Sequence, residues 1–188
     1  MEPVLISALV VAIAEIGDRT QLLAIVLATR FHKPWPIIAG ILVATVANHA
    51  MAATVGFLVA DFLRGRWFQY LVAVSFFATA AWMLVPDKED EDVKQPTHAG
   101  VFATTVVAFF LVEMGDKTQI ATVALAARFH NIVLVATGTT IGMMAANIPA
   151  VFLGRAATRI VPLQYVRIGA ALIFTGLGAW SLVEAIRG

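Results

Sequence analysis

Long apolar runs alternate with short polar ones along this chain of 188 residues. Pro34 to Ala60, Trp67 to Pro86 and Phe129 to Gly154 contain no Asp, Glu, Lys or Arg. Each is close to or above the roughly 20 residues that a helix needs to cross the hydrocarbon core of a bilayer. Ile168 to Val183 is shorter, but the apolar residues flanking Arg167 extend it to a full span. The pattern predicts six membrane-spanning helices, at about 4–29, 36–60, 67–85, 100–127, 132–157 and 163–186. Prolines in Arg30-Phe31-His32-Lys33-Pro34-Trp35-Pro36 close the first helix and open the second. The polar patch Asp61 to Arg66 marks the next turn. A hydrophilic linker, 87–98, carries Asp87, Glu89, Asp90, Glu91 and Asp92 against Lys88 and Lys94, and divides the chain into 1–86 and 99–188. It reads as a solvated acidic loop, or as a weak gatherer of cations at the membrane surface.

Two of the spans are interrupted by charge in mid-course. Glu15-Ile16-Gly17-Asp18-Arg19-Thr20-Gln21 returns as Glu113-Met114-Gly115-Asp116-Lys117-Thr118-Gln119. Displacing the chain by 98 residues lays Glu15–His32 on Glu113–His130 with ten of eighteen positions identical, including Arg-Phe-His at the end of each. Fainter echoes pair Ala47-Asn48 with Ala146-Asn147, Gln69-Tyr70 with Gln164-Tyr165, and Trp82 with Trp180. The repeating unit is three helices, and an odd number forces the second copy to enter the membrane from the opposite side. The predicted fold is therefore an all-α integral membrane protein, with six transmembrane helices arranged as two inverted three-helix repeats. Secondary transporters recurrently use that architecture, with the binding site near the midplane.

Composition agrees: the chain is 60% hydrophobic and 13% charged, with a mean hydropathy of +0.86, well outside soluble usage. A formal net charge of +1 and the lack of a long basic run argue against nucleic acid as a partner. With no cysteine, disulfides and thiolate metal sites are excluded. Only Glu2 precedes the first apolar stretch, which lacks a basic leader and a convincing cleavage site and reads as a retained first helix. Arg30, Lys33, Lys88, Lys94, Arg155, Arg159 and Arg167 fall on the linker side, against Arg64, Arg66, Arg128 and Arg187 on the side of the termini. The positive-inside rule then places the linker in the cytoplasm and both termini outside.

On a continuous helix, Glu15 and Asp18 share a face, as do Glu113 and Asp116, and Gln21 and Gln119 continue that face by one turn. Gly17 and Gly115 remove a side chain between the acids, which permits close helix approach or a local break that frees carbonyls. If the two spans cross, four carboxylates converge. A carboxylate at the bilayer centre costs about 2.5–3.5 kcal/mol even on the lenient insertion scale, so the group needs protons or a cation. An all-oxygen set suits a hard divalent ion such as calcium, manganese or magnesium, and protons would compete with it for the same oxygens. The bland alternative is a pair of buried salt bridges to Arg19 and Lys117 that fastens the halves together. On a continuous helix these two bases point away from the acids, as internal counter-ions, gates or packing ion pairs. Thr20 and Thr118 are expected to bond to the preceding turn, outside the ligand shell. Asn48 and Asn147 are repeat-related amides, read as ligands or interhelical partners. His49, which Ile148 matches in the other half, reads as a packed lone histidine, and His32 and His130 as surface residues. Pro149 is expected to kink the fifth helix. Trp35, Trp67, Tyr70 and Tyr165 fall near span ends and read as interfacial anchors.

The two heptads resemble those of the Gdt-type cation/proton antiporters, Golgi and bacterial membrane proteins identified by two copies of Glu-x-Gly-Asp-[Lys/Arg]-[Ser/Thr]. Both copies fit, and the resemblance covers essentially the whole chain. It implies exchange of manganese or calcium for protons, with Glu15, Asp18, Glu113 and Asp116 forming the cation site. For a compact, bacterial-like member it further implies manganese export across the cytoplasmic membrane. Together with Gln21, Asn48, Gln119 and Asn147, these acids are the expected cation ligands. The transported ion and protons are the expected cargo, and no prosthetic group or enzymatic activity is expected. Exporting a small organic cation or amino acid, or serving as a structural subunit of a membrane complex, are the competing readings.

Overall fold

The structure, a computed structural model, describes residues 1–62, 66–85, 100–153 and 163–187. The acidic linker 87–98 lies outside them. The described elements are all helices: α1 (Glu2–Glu15), α2 (Arg19–Phe31), α3 (Pro34–Phe62), α4 (Arg66–Met83), α5 (Val101–Glu113), α6 (Lys117–Phe129), α7 (Ile132–Leu153) and α8 (Leu163–Arg187). Three segments, Pro34–Phe62, Ile132–Leu153 and Ile168–Arg187, are long and apolar enough to cross a membrane, and α4 and α5 contribute shorter apolar helices. Val43, Val46, Leu58, Ile141 and Leu172 are exposed on their outer faces, as suits helices whose solvent is lipid. Trp35, Trp67 and Tyr165 are exposed near helix ends, where aromatic side chains sit at the membrane interface.

The spans expected at 4–29 and 100–127 are not continuous helices, which corrects the shared-face geometry inferred from the sequence. After α1 the chain passes through extended Ile16 (φ −64°, ψ 114°) and Asp18 (φ −78°, ψ 165°) into α2. The second copy repeats this with Met114 (φ −63°, ψ 119°) and Asp116 (φ −77°, ψ 168°). Between them Gly17 and Gly115 take φ of +79° and +77°, a left-handed conformation that costs residues with a Cβ about 1–2 kcal/mol. Glycine is thus what lets the backbone leave and re-enter helix within three residues. A Cβ on Gly115 would meet nothing within 4 Å. Gly115→Ala is therefore expected to cost only the backbone penalty, about 1–2 kcal/mol, seen as a lower thermal midpoint in detergent with folded protein still recovered. The broken helices also end alike: His32 and His130 are left-handed caps whose N–H groups donate to the Ala28 and Ala126 carbonyls at 3.0 and 2.9 Å. α7 runs through Pro149 as one helix.

Each broken helix packs on the other half of the chain. α1 lies along α7 and α5 along α3; α2 also meets α7, α6 meets α3, and α4 pairs with α8. Small residues make these crossings close. A Cβ at Gly138 of α7 would fall 2.8 Å from Ser7 Cβ on α1, and one at Gly40 of α3 would fall 2.7 Å from Thr105 Cβ on α5. Two apolar cores result. One gathers residues of α1, α3, α4, α6, α7 and α8 around Phe76 and Phe174. The other joins α2, α3, α5 and α7 around Phe109, Ile37 and Ile41. Arg128 of α6 fastens to α8 through two bonds to Glu184, at 2.7 and 3.3 Å, while its guanidinium lies 4.2 Å from the Trp180 ring centroid.

Candidate cation site

Four helix ends meet at the two breaks. α1 and α5 stop on Glu15 and Glu113, and α2 and α6 start after Asp18 and Asp116 as N-caps. The aspartates thus sit at the partly positive ends of helix dipoles, and the glutamates at the partly negative ends, where a cation is favoured. All four acids are buried. One carboxylate oxygen from each of Glu15, Glu113 and Asp116 lies within 4.8 Å of the other two. This group draws on both copies of the motif, from opposite halves of the chain. Asp18 is buried beside the same break but lies outside that triplet.

The glutamates are held in matching ways. Thr20 Oγ1 donates to Glu15 Oε2 at 2.6 Å, and Thr118 Oγ1 donates to Glu113 Oε2 at 3.2 Å. The other oxygen, Oε1, of each glutamate is buried and accepts no hydrogen bond from the described residues. Buried acceptors are rarely left that way, so each Oε1 is available to an incoming ligand. The threonine contacts correct the sequence reading, in which both hydroxyls bond to the preceding turn. With a break between them, residues five apart are brought face to face, and only the glycine between the acids hinted at this.

Gln21 and Gln119 brace the breaks. Their Oε1 atoms accept the Gly17 and Gly115 N–H groups at 2.8 and 2.7 Å, and Gln21 Nε2 donates to the Ala146 carbonyl at 3.2 Å. Each amide oxygen keeps a second lone pair. Asn48 Nδ2 donates across to the Phe110 carbonyl of α5 at 3.1 Å, whereas Asn147 Nδ2 bonds within its own helix to the Met143 carbonyl at 3.1 Å. The Oδ1 atom of both is buried with no hydrogen-bond partner among the described residues. The structure therefore leaves one oxygen open on each of four repeat-related residues, Glu15, Glu113, Asn48 and Asn147. His49 is packed in α3 with neither ring nitrogen partnered among the described residues.

Of the two basic residues, Arg19 is placed differently from the continuous-helix expectation. Because the break re-aims the first turn of α2, Arg19 does not point away from the acids: its Nη2 donates to Asp116 Oδ1 of the other motif at 2.9 Å. Lys117 is buried at the start of α6 and donates to the Val85 carbonyl, at the end of α4, at 3.2 Å.

An all-oxygen cluster inside a helical membrane protein can bind a hard cation, can take up protons, and can exchange one for the other. The chain matches the family described as divalent cation/proton antiporter GDT1 over residues 3–91 and 101–188. It is 46% identical over 175 residues, 93% of this chain and 87% of the relative, to a Vibrio cholerae protein provisionally named manganese exporter. A GDT1-like protein of Synechocystis is 28% identical over 189 residues, 88% of this chain and 90% of that one. GDT1-like protein 5 of Arabidopsis thaliana is 23% identical over 212 residues, covering 93% and 92%. No solved structure matches the chain.

Proposed function

The chain belongs to the GDT1 family of divalent cation/proton antiporters, and from that premise we propose that it exports manganese across the cytoplasmic membrane in exchange for protons, through the buried carboxylates of its two motifs. The single observation that carries this reading is the triplet of Glu15, Glu113 and Asp116, drawn from both halves within 4.8 Å and sealed from solvent. Three carboxylates that close in a medium of low dielectric need a compensating positive charge. A divalent ion or protons meet that need in alternation, which is the chemistry of an exchanger. We assign Asn48, Asn147, Asp18, Gln21 and Gln119 to the same site, a reading supported by the buried oxygens left without a hydrogen bond on Glu15, Glu113, Asn48 and Asn147 among the described residues. Manganese is favoured over calcium by the name of the Vibrio cholerae relative; the oxygen ligands alone accept both.

The same reading makes the two broken helices, with α3, α4, α7 and α8, six spans in two inverted repeats, 1–86 and 99–188. Support comes from the reciprocal packing, α1 on α7 and α5 on α3, and from the matched breaks at Gly17 and Gly115. Such halves can exchange roles between states open to either side. The excess of Lys and Arg on the linker side supports a cytoplasmic linker and external termini.

Purified protein in acid-loaded vesicles supplies the test. Manganese added outside is expected to accumulate while the lumen turns alkaline, calcium to compete more weakly, and amino acids not to compete. Uptake indifferent to the pH gradient would refute exchange. No flux for any divalent ion would leave the chain a structural subunit.

A further inference from the structure

We propose that Arg19 is a tethered cation that competes with the transported ion for Asp116, so that loading the site and expelling the guanidinium are a single event. This rests on the reading of the carboxylate triplet as the transport site. Asp116 belongs to that triplet, yet its Oδ1 is already taken by Arg19 Nη2 at 2.9 Å, and Thr118 Oγ1 stands 3.5 Å from its Oδ2. A divalent ion drawing on Asp116 therefore meets a positive charge on the same carboxylate, and the two repel. The side chains differ in what they can do about it: Asp116 is 2% exposed and Arg19 is 32% exposed. The guanidinium has room to swing off Asp116 on its long stem, while the carboxylate stays behind. Guanidinium is also always charged, so proton uptake elsewhere in the site cannot remove this competitor.

Two consequences follow from the position of the bond. Arg19 opens α2 and Asp116 caps α6, so the pair ties one motif to the other. An ion that displaces Arg19 unfastens that tie at the moment of loading, and the returning guanidinium helps to eject the ion on release. By linkage, an interaction that the ion must break weakens the ion by the same factor that the ion weakens it. Arg19 thus lowers affinity and speeds turnover.

The sign of this effect separates it from a packing role. In Arg19→Gln, binding of manganese to the purified protein, followed by isothermal titration, is expected to tighten by about tenfold. KM and the maximal exchange rate in vesicles are expected to fall together. Arg19→Lys, which keeps the charge without the planar fork, is expected to lie between. A merely structural Arg19 predicts weaker binding in both variants, and that result, or an unchanged affinity, overturns the proposal. The chain has no cysteine, so Arg19→Cys allows a second comparison within one preparation. A positively charged thiol adduct is expected to bind manganese more weakly than a neutral adduct of similar size, and equal binding counts against the proposal. Wild-type protein that fails to exchange manganese for protons takes down both this inference and the transport reading. Wild-type exchange with an unaltered Arg19→Gln affinity takes down this inference alone.

Discussion

Glu113→Gln is expected to reduce manganese/proton exchange by about 100-fold or more while leaving the folded protein intact. The glutamine is nearly isosteric and its carbonyl can still accept the Thr118 hydroxyl that now bonds to Glu113 Oε2, so the local packing has no reason to change. The variant lacks the negative charge that, with Glu15 and Asp116, makes the triplet attractive to a divalent ion, and it lacks a group that can carry a proton across. Loss of a supporting residue beside a metal typically costs 10–100-fold, and a direct ligand that also relays protons should lie at or beyond the upper end. Initial rates in vesicles measure the effect, with the thermal midpoint as control. If the acids merely fastened the halves by salt bridges, the midpoint would drop and the rate per folded molecule would hold, a result that would remove Glu113 from the site. Glu15→Gln, in the matching place with the Thr20 hydroxyl on its Oε2, is expected to behave in the same way.

Gly142→Val is expected to act through the fold instead, with a loss of about 3 kcal/mol and poor recovery of folded protein. A Cβ on Gly142 would stand 2.9 Å from the Ala12 nitrogen and closer still to the Ala8 carbonyl oxygen. Both are backbone atoms of α1, which cannot turn aside as a side chain would. α1 must lift off α7, and it carries Glu15 at its end, so exchange by whatever protein does fold should fall as well. Gly176→Ala on α8 is the control, since a Cβ there meets nothing within 4 Å and replacing Gly by Ala at a compatible helical position tends to stabilise. Equal recovery of the two variants would mean that the α1–α7 crossing is looser than described.

The sequence carried the class of the protein and the identity of its acids, because apolar length and intramembrane charge are local properties that survive without coordinates. Glu15, Glu113 and Asp116 were legible for that reason. The breaks were only half legible: Gly17 and Gly115 allowed them, but hydropathy cannot sense a positive φ, and the apolar pattern runs on through both. Some of what hung on helix continuity was then misplaced. Thr20 and Thr118 were assigned to the turn before them when they hold the glutamates, and Arg19, aimed away from the acids of its own helix though read as a counter-ion, reaches Asp116 of the other motif. That last contact joins residues 97 positions apart, and no spacing rule within one helix can announce it. The exchange of packing partners between the halves was hidden for the same reason, although Gly138 and Gly142 were in view.

That exchange bears on how the protein comes to be folded. α1 and α2 are 14 and 13 residues long, at about 1.5 Å per residue too short for either to bridge a bilayer core of about 30 Å alone. Their partner α7 begins only at Ile132, so the helix that covers α1 and α2 lies more than 100 residues further along the chain. Without α7, α1 and α2 are thus left as an unfinished surface, and the two breaks depend on each other's half of the chain for their packing.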